Sequence, residues 1–404
     1  MRAALSGGIP RYRAWRGPTL LRHGFRPFFL GAGLWAAAAL GLWLAALGGR
    51  LALPTAFDPV TWHAHEMIFG FAMAAVAGFL LTAVPNWTGR MPLQGLPLAG
   101  LALLWLAGRA AVACSGQIGA APAAAVDLAF PAVLLAAVLR EILAGRNWRN
   151  LPVCAAVAVL LLANALTHLA ALGLAATAGI GLRLGIATLT ALIALIGGRV
   201  VPSFTTNWLK KRGETRLPAP FGPVDRAALA LTLAALLVWT ALPEAAPAAA
   251  LALAAGLAQA VRVARWRGHR TLAEPLVWVL HLGYAWVPAG LLLLGIAGLW
   301  PAALPATAAL HALTAGAVGT MTLAVMTRAT LGHTGRPLTA GAGTTAIYLL
   351  VTAAAAGRVA SPLLPDLHLA LLTASGLCWV AAFGLFAAVY GPKLLAARAD
   401  GRSG

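Results

Sequence analysis

Thr61-Trp62-His63-Ala64-His65-Glu66-Met67-Ile68-Phe69 stands at the head of an apolar run that continues to Val84. Two histidines and a glutamate are costly to bury in a segment of membrane length, and ionisable groups at that depth mark functional sites by default. The stretch has a counterpart late in the chain. His65 lies 23 residues before Thr88-Gly89-Arg90, and His311 lies 23 residues before Thr334-Gly335-Arg336. Both landmarks therefore shift by the same 246 residues, and Gly70 and Gly316 keep that offset. We read a histidine-bearing helix that is repeated, with its paired histidines as ligands.

The rest of the chain is of the same kind. Of its 404 residues 61% are hydrophobic and 10% charged, and the mean hydropathy is +0.85. That composition belongs to a polytopic membrane protein. Twelve apolar runs approach the length of a crossing, about 20 residues. They lie near 27–47, 60–84, 96–114, 121–140, 151–174, 180–201, 224–243, 246–263, 275–298, 304–327, 338–356 and 367–390. In hydrocarbon every backbone hydrogen bond must close within its own segment, so these runs are predicted helices. The expected fold class is all-α, with twelve transmembrane helices. Two looser echoes recur every four spans. Pro202 sets the sixth span on the second at Pro85, and Asn164-Ala-Leu-Thr-His168-Leu parallels Val277-Trp-Val-Leu-His281-Leu. They suggest three groups of four helices, about 27–140, 150–263 and 275–391, within one membrane domain, 27–391. A basic N-terminus, 1–26, and a tail, 392–404, flank it.

The formal net charge is +19. Of the 29 lysines and arginines, 25 fall on the side of the alternating spans that holds both termini, and the other side carries Arg50, Arg109, Arg183 and Arg358. The positive-inside rule then places both termini in the cytoplasm. Basic loops of this kind meet anionic lipid, so the expected partner is the bilayer and not nucleic acid. The stretch 207–220 reads as one such loop. No short apolar segment with a cleavage site opens the chain, and no signal peptide is expected. Cys114, Cys154 and Cys378 form no Cys-x-x-Cys-His pattern, so any haem is expected to be held non-covalently.

A helix turns about 100° per residue, which points His63 and His65 to nearly opposite sides of the second span. They cannot share one metal, but each can serve a different cofactor. Neutral imidazole is the commonest metal ligand and a common axial ligand to haem. His63, His65 and His311 are the candidate haem ligands, with His65 the first choice to face His311. His168 and His281 are candidates for copper or a second haem. By span direction His63, His65, His168 and His311 reach one layer away from the basic side, whereas His281 falls nearer to it. His23, His269, His333 and His368 lie at span ends or in loops, where solvated or lipid-headgroup roles are expected. Glu66 and Asp127 lie inside spans and are candidates for a proton relay, or for accepting hydrogen bonds.

Several longer stretches resemble the NnrS family: Gly24-Phe25-Arg26-Pro27-Phe28-Phe29, Trp62 to Met67, Gly78 to Arg90, Gly198 to Asn207, and Met326 to Pro337. The resemblance runs from about 20 to 390, with an Ala-rich, divergent 241–256. It implies a bacterial inner-membrane protein that contains haem b and copper and is linked to nitric oxide and nitrosative stress, often in denitrifiers. Twelve helices with a His-x-His pair also resemble, at fold level, the catalytic subunit of haem–copper oxidases and nitric-oxide reductases. The adjacent histidine pair that helps to hold the second metal there has no match in this chain. The leading expectation is a haem and copper protein that binds nitric oxide and turns it over with an unknown electron donor. A small-solute or metal transporter and a haem-based sensor without turnover are the alternatives.

Overall fold

The computed structural model describes residues 16–401, and among these there is no strand. Twelve helices are long and apolar enough to cross a membrane, which makes this a multi-pass membrane protein. They are α1 (Phe25–Leu47), α2 (Pro59–Thr88), α3 (Leu96–Ala113), α4 (Ala120–Ala144), α5 (Trp148–Ala171), α6 (Ala178–Lys211), α7 (Pro223–Ala241), α8 (Ala246–Arg270), α9 (Pro275–Leu299), α10 (Ala306–His333), α11 (Ala342–Leu363) and α12 (Pro365–Leu395). The short 246–263 run is a full span. Of the basic N-terminal segment, residues 1–15 lie outside the described residues, as do 402–404 of the tail.

Local sequence explains where the helices begin. Pro59, Pro223 and Pro275 each occupy a first helical position, where the missing N–H costs nothing. Asp58 caps α2, its carboxylate accepting from Val60 N and Thr61 N at 3.0 Å each. Two ends differ from the sequence reading. The helix of α6 continues to Lys211, so the polar stretch expected as a loop from 207 is helical for its first turn. The Thr205 hydroxyl is satisfied by Val201 O at 2.9 Å, and Lys210 and Lys211 suit the negative end of the helix dipole. The tail expected from 392 likewise starts inside α12.

Sequence neighbours pack as helix pairs, and α1 closes on α12. Two contacts fasten that closure. The Trp379 indole donates to Ala36 O at 3.0 Å, and the fully buried Arg26 donates to Leu394 O at 2.6 Å and Ala396 O at 2.8 Å. Arg26 is thus a clamp between the chain ends, not a solvated charge of a basic segment. His23 is buried beside it, not solvated as expected; burial first, then the charge of Arg26, pushes its pKa down to about 3.

The most buried spans are α2 and α10, and α6 touches both. Each of these three helices changes from α to π pitch, over Glu66–Ala72, Ile193–Gly197 and Ala312–Gly319. A π turn inserts a residue and re-aims the side chains around it, often at functional sites. In α2 and α10 the π stretch starts immediately after His65 and His311, so the 246-residue offset is written into the backbone. Gly89 and Gly335 also share a left-handed conformation, φ 68° and 69°. Even the close approaches correspond. A Cβ on Gly70 would meet Trp35 Nε1 at 2.7 Å, and one on Gly316 would meet the Trp286 ring at 2.5 Å.

Candidate metal centre

At the end of the bundle away from most of the basic loops, α2 to α5 bring six polar side chains into one buried cluster. His65 and Glu66 come from α2, Arg109 from α3, Asp127 from α4, and Asn164 and His168 from α5; none is more than 2% exposed. Burying such groups is tolerable only when each is paired. Arg109 donates to both oxygens of Glu66, at 2.6 and 2.7 Å, and also to Asp127 Oδ1. The Trp35 indole donates to Glu66 Oε2 at 2.7 Å. Asn164 Nδ2 donates to Asp127 Oδ2 at 2.8 Å, and His168 Nε2 lies 2.9 Å from the same oxygen. His65 is held at both nitrogens, Nδ1 by Glu66 Oε1 at 3.0 Å and Nε2 by Asn164 Oδ1 at 2.8 Å, with Asp127 Oδ2 at 3.3 Å. Both sets of partners are acceptors, so His65 donates twice in this geometry, and the formal charges of Arg109, His65, Glu66 and Asp127 balance.

Space for the cluster comes from glycine. A Cβ on Gly70 would come within 2.7 Å of Glu66 Oε2 and 2.9 Å of Arg109, and one on Gly108 within 2.9 Å of Asp127 Oδ1. The π stretch of α2 carries Gly70 into that gap, and the Trp105 indole takes its carbonyl at 3.0 Å.

His65, Asp127 and His168 offer three ligand atoms within 4.8 Å of one another. A four-coordinate metal with bonds of about 2.0–2.1 Å needs donors roughly 3–3.5 Å apart; Asp127 Oδ2 lies 3.3 Å from His65 Nε2 and 2.9 Å from His168 Nε2. Glu66 on the far nitrogen of His65 is the carboxylate–histidine support that metal-ligating imidazoles usually have. Once His65 gives up its Nε2 hydrogen, the donor set of two imidazoles and one carboxylate suits a transition metal.

His63 faces the other way. It stacks on Trp43, ring centroids 4.4 Å apart, and its Nδ1 is buried with no hydrogen-bond partner. His311 and Arg358 lie close enough for their charges to act on it. His311 Nδ1 is 2.7 Å from Thr307 O, an acceptor only, so Nδ1 carries the hydrogen and Nε2 keeps a free lone pair. Arg358 adds a buried Nη1 without a partner. Thus His63, and not His65, is the neighbour of His311: the rotation between residues 63 and 65 sends His65 into the polar cluster. His168 joins His65. His281 joins neither group; near the basic-side start of α9 it pairs with Thr205 at 2.7 Å.

The family model described as NnrS protein matches residues 19–398. The chain belongs to the NnrS family. No curated protein and no solved structure matches it. In this NnrS-family chain, Arg109, Asn164, Trp35 and Arg358 are the site residues that the sequence reading missed. For Arg109 the sequence does carry a signal: an arginine inside the apolar stretch Leu104 to Ala113 is itself the mark of an intramembrane ion pair.

Proposed function

We propose that this NnrS-family protein is a haem-b and copper protein of the bacterial inner membrane that binds nitric oxide, reduces it and protects against nitrosative stress. Its helices would form three groups of four, with both termini in the cytoplasm. The observation that carries the reading is the pair of histidine sites on opposite sides of α2. His65, His168 and Asp127 would hold copper, with Glu66 and Arg109 fixing the ligands. His63 and His311 would hold haem b, with the unpartnered Arg358 meeting a propionate. Bound there, the two groups would supply an open coordination position for nitric oxide and one-electron chemistry. The chain's own part is positional: Asn164 and Glu66 fix the His65 ring, Thr307 fixes the tautomer of His311, and the apolar walls exclude water. Glu66 and Asp127 are spoken for by Arg109 and the histidines, which favours a ligand-orienting role for Glu66 and a ligating one for Asp127 over an open proton relay.

The test is metal analysis with oxidised and reduced optical spectra of the detergent-purified protein. A b-type spectrum that shifts with nitric oxide is expected. His63→Ala and His311→Ala should each lose haem while keeping copper, and His168→Ala should lose copper while keeping haem. A parent protein without colour or metal sinks the proposal, and would turn attention to solute transport.

A further inference from the structure

The cluster of His65, Asp127 and His168 is covered by a part of the chain that has no role in holding the metal. At the end of the bundle away from most of the basic loops, α1 stops at Leu47 and α2 begins at Pro59. In the loop between them Phe57 is buried, whereas its neighbours from Gly48 to Val60 are exposed or half-buried. The Phe57 ring lies against both imidazoles, 5.2 Å from His65 and 5.4 Å, edge-on, from His168. Phe69 also meets His65 at 5.2 Å, but it belongs to the continuous core of the bundle. Phe57 packs instead with Ala39, Trp62 and Val112 in a small group of its own. Satellite groups of this kind lie under long loops, and a loop held by few contacts opens without melting the main core. The hydrogen bonds that hold this loop to the bundle gather just past the end of α3. The Ser115 hydroxyl accepts from Ala56 N at 2.8 Å and lies 3.1 Å from Thr55 Oγ1, and Gly116 N donates to Pro54 O at 2.9 Å.

We propose that Phe57 is the gate of the metal centre. The loop swings off Ser115 and Gly116, withdraws the ring from His65 and His168, and passes the metal ion on the face opposite the basic loops. A charged ion does not come sideways through lipid, where its burial is costly, so it enters by an end of the bundle. The end that the loop closes is the one beside the ligands. The inference rests on the metal-centre reading and adds the route by which the ion arrives. A gate has a kinetic signature. It scales entry and exit together and leaves the affinity where it was, whereas losing a ligand or its support changes the affinity.

The experiment loads the purified full chain with copper and follows its removal by excess bathocuproine disulfonate under ascorbate. Affinity is taken from a separate equilibrium competition. Ser115→Ala should release copper roughly tenfold faster, the effect of losing one good hydrogen bond, and Phe57→Ala at least as fast, both with the parent's affinity. Release at the parent's rate in both variants overturns the proposal, and so does faster release matched by an equally weakened affinity. The two substitutions sit on different elements, so one that fails to fold leaves the other to decide. A second measurement needs no metal: diethyl pyrocarbonate, mapped by mass spectrometry, should modify His168 in Phe57→Ala and spare it in the parent. A parent that takes up no metal sinks the centre and the gate with it. Equal labelling in a copper-binding parent and its variant sinks the gate alone.

Discussion

At the scale of single residues, the buried cluster is governed by Arg109. It faces two carboxylates that are, like itself, no more than 2% exposed, and removing it leaves both uncompensated. Breaking a buried pair in this way typically costs about 3–5 kcal/mol. Arg109→Met should therefore lower the thermal stability of the detergent-purified protein by that order, and adding Glu66→Gln should recover part of the loss. If Arg109→Met unfolds like the parent, the ion pairs carry no stability. Glu66 answers a second question. Its bond to His65 Nδ1 orients the ring, and outer-shell partners of this kind are worth about 10–100-fold in metal affinity. Glu66→Gln should weaken copper binding by that factor in a chelator competition while leaving haem content unchanged. Equal affinity in the two proteins would show that the metal lies elsewhere.

At the scale of elements, α2 is the informative helix. Its start depends on Asp58, and replacing an N-cap costs about 1 kcal/mol. Burial pushes the Asp58 carboxyl up, but hydrogen bonds from Thr61 and Val60 outweigh it and hold the group below its usual 3.8. Because the folded value is depressed, this contribution is present above the unfolded value and lost as pH falls through the folded one. The stability gap between the parent and Asp58→Ala should be full at neutral pH and should close as pH falls below 3.8. A gap that persists in acid would point to another cause. The π stretch can be probed with glycine. Gly70→Val drives side-chain atoms into Glu66 and Trp35, an overpacking that costs about 1–3 kcal/mol. Gly100→Val, where a Cβ would meet nothing within 4 Å, is the control and should unfold like the parent. The expected difference in melting temperature disappears if the π segment can relax around the new side chain.

For the whole molecule, the proposed topology follows from two features: twelve candidate spans, an even number, would leave both ends of the chain on one side, and the excess of arginine and lysine would make that side the cytoplasm. Reporters fused to either terminus, of a kind active only in the cytoplasm, should both be active. One active and one silent reporter would mean that a helix such as α8 fails to cross. The Arg26 clamp between α1 and α12 works at the same scale: it joins the two ends of the sequence in one buried contact, which an argument from local pattern cannot anticipate.

Hydropathy by itself determined the helical class and the number of crossings, since a backbone in hydrocarbon has almost no other way to satisfy its polar groups. The repeated spacing of His65 and His311 also identified α2 and α10 as equivalent, down to the glycines at Gly70 and Gly316. Periodicity even separated His63 from His65, because the turn of a helix is a local property. Which of the two meets His311 was not legible. That depends on how α2 is rotated against its neighbours, and the rotation is set by a π turn and by glycine contacts with helices distant in sequence. Arg109, Asp127 and Asn164 came together for the same reason: packing decides which buried charges find partners, and the sequence states only that partners must be found.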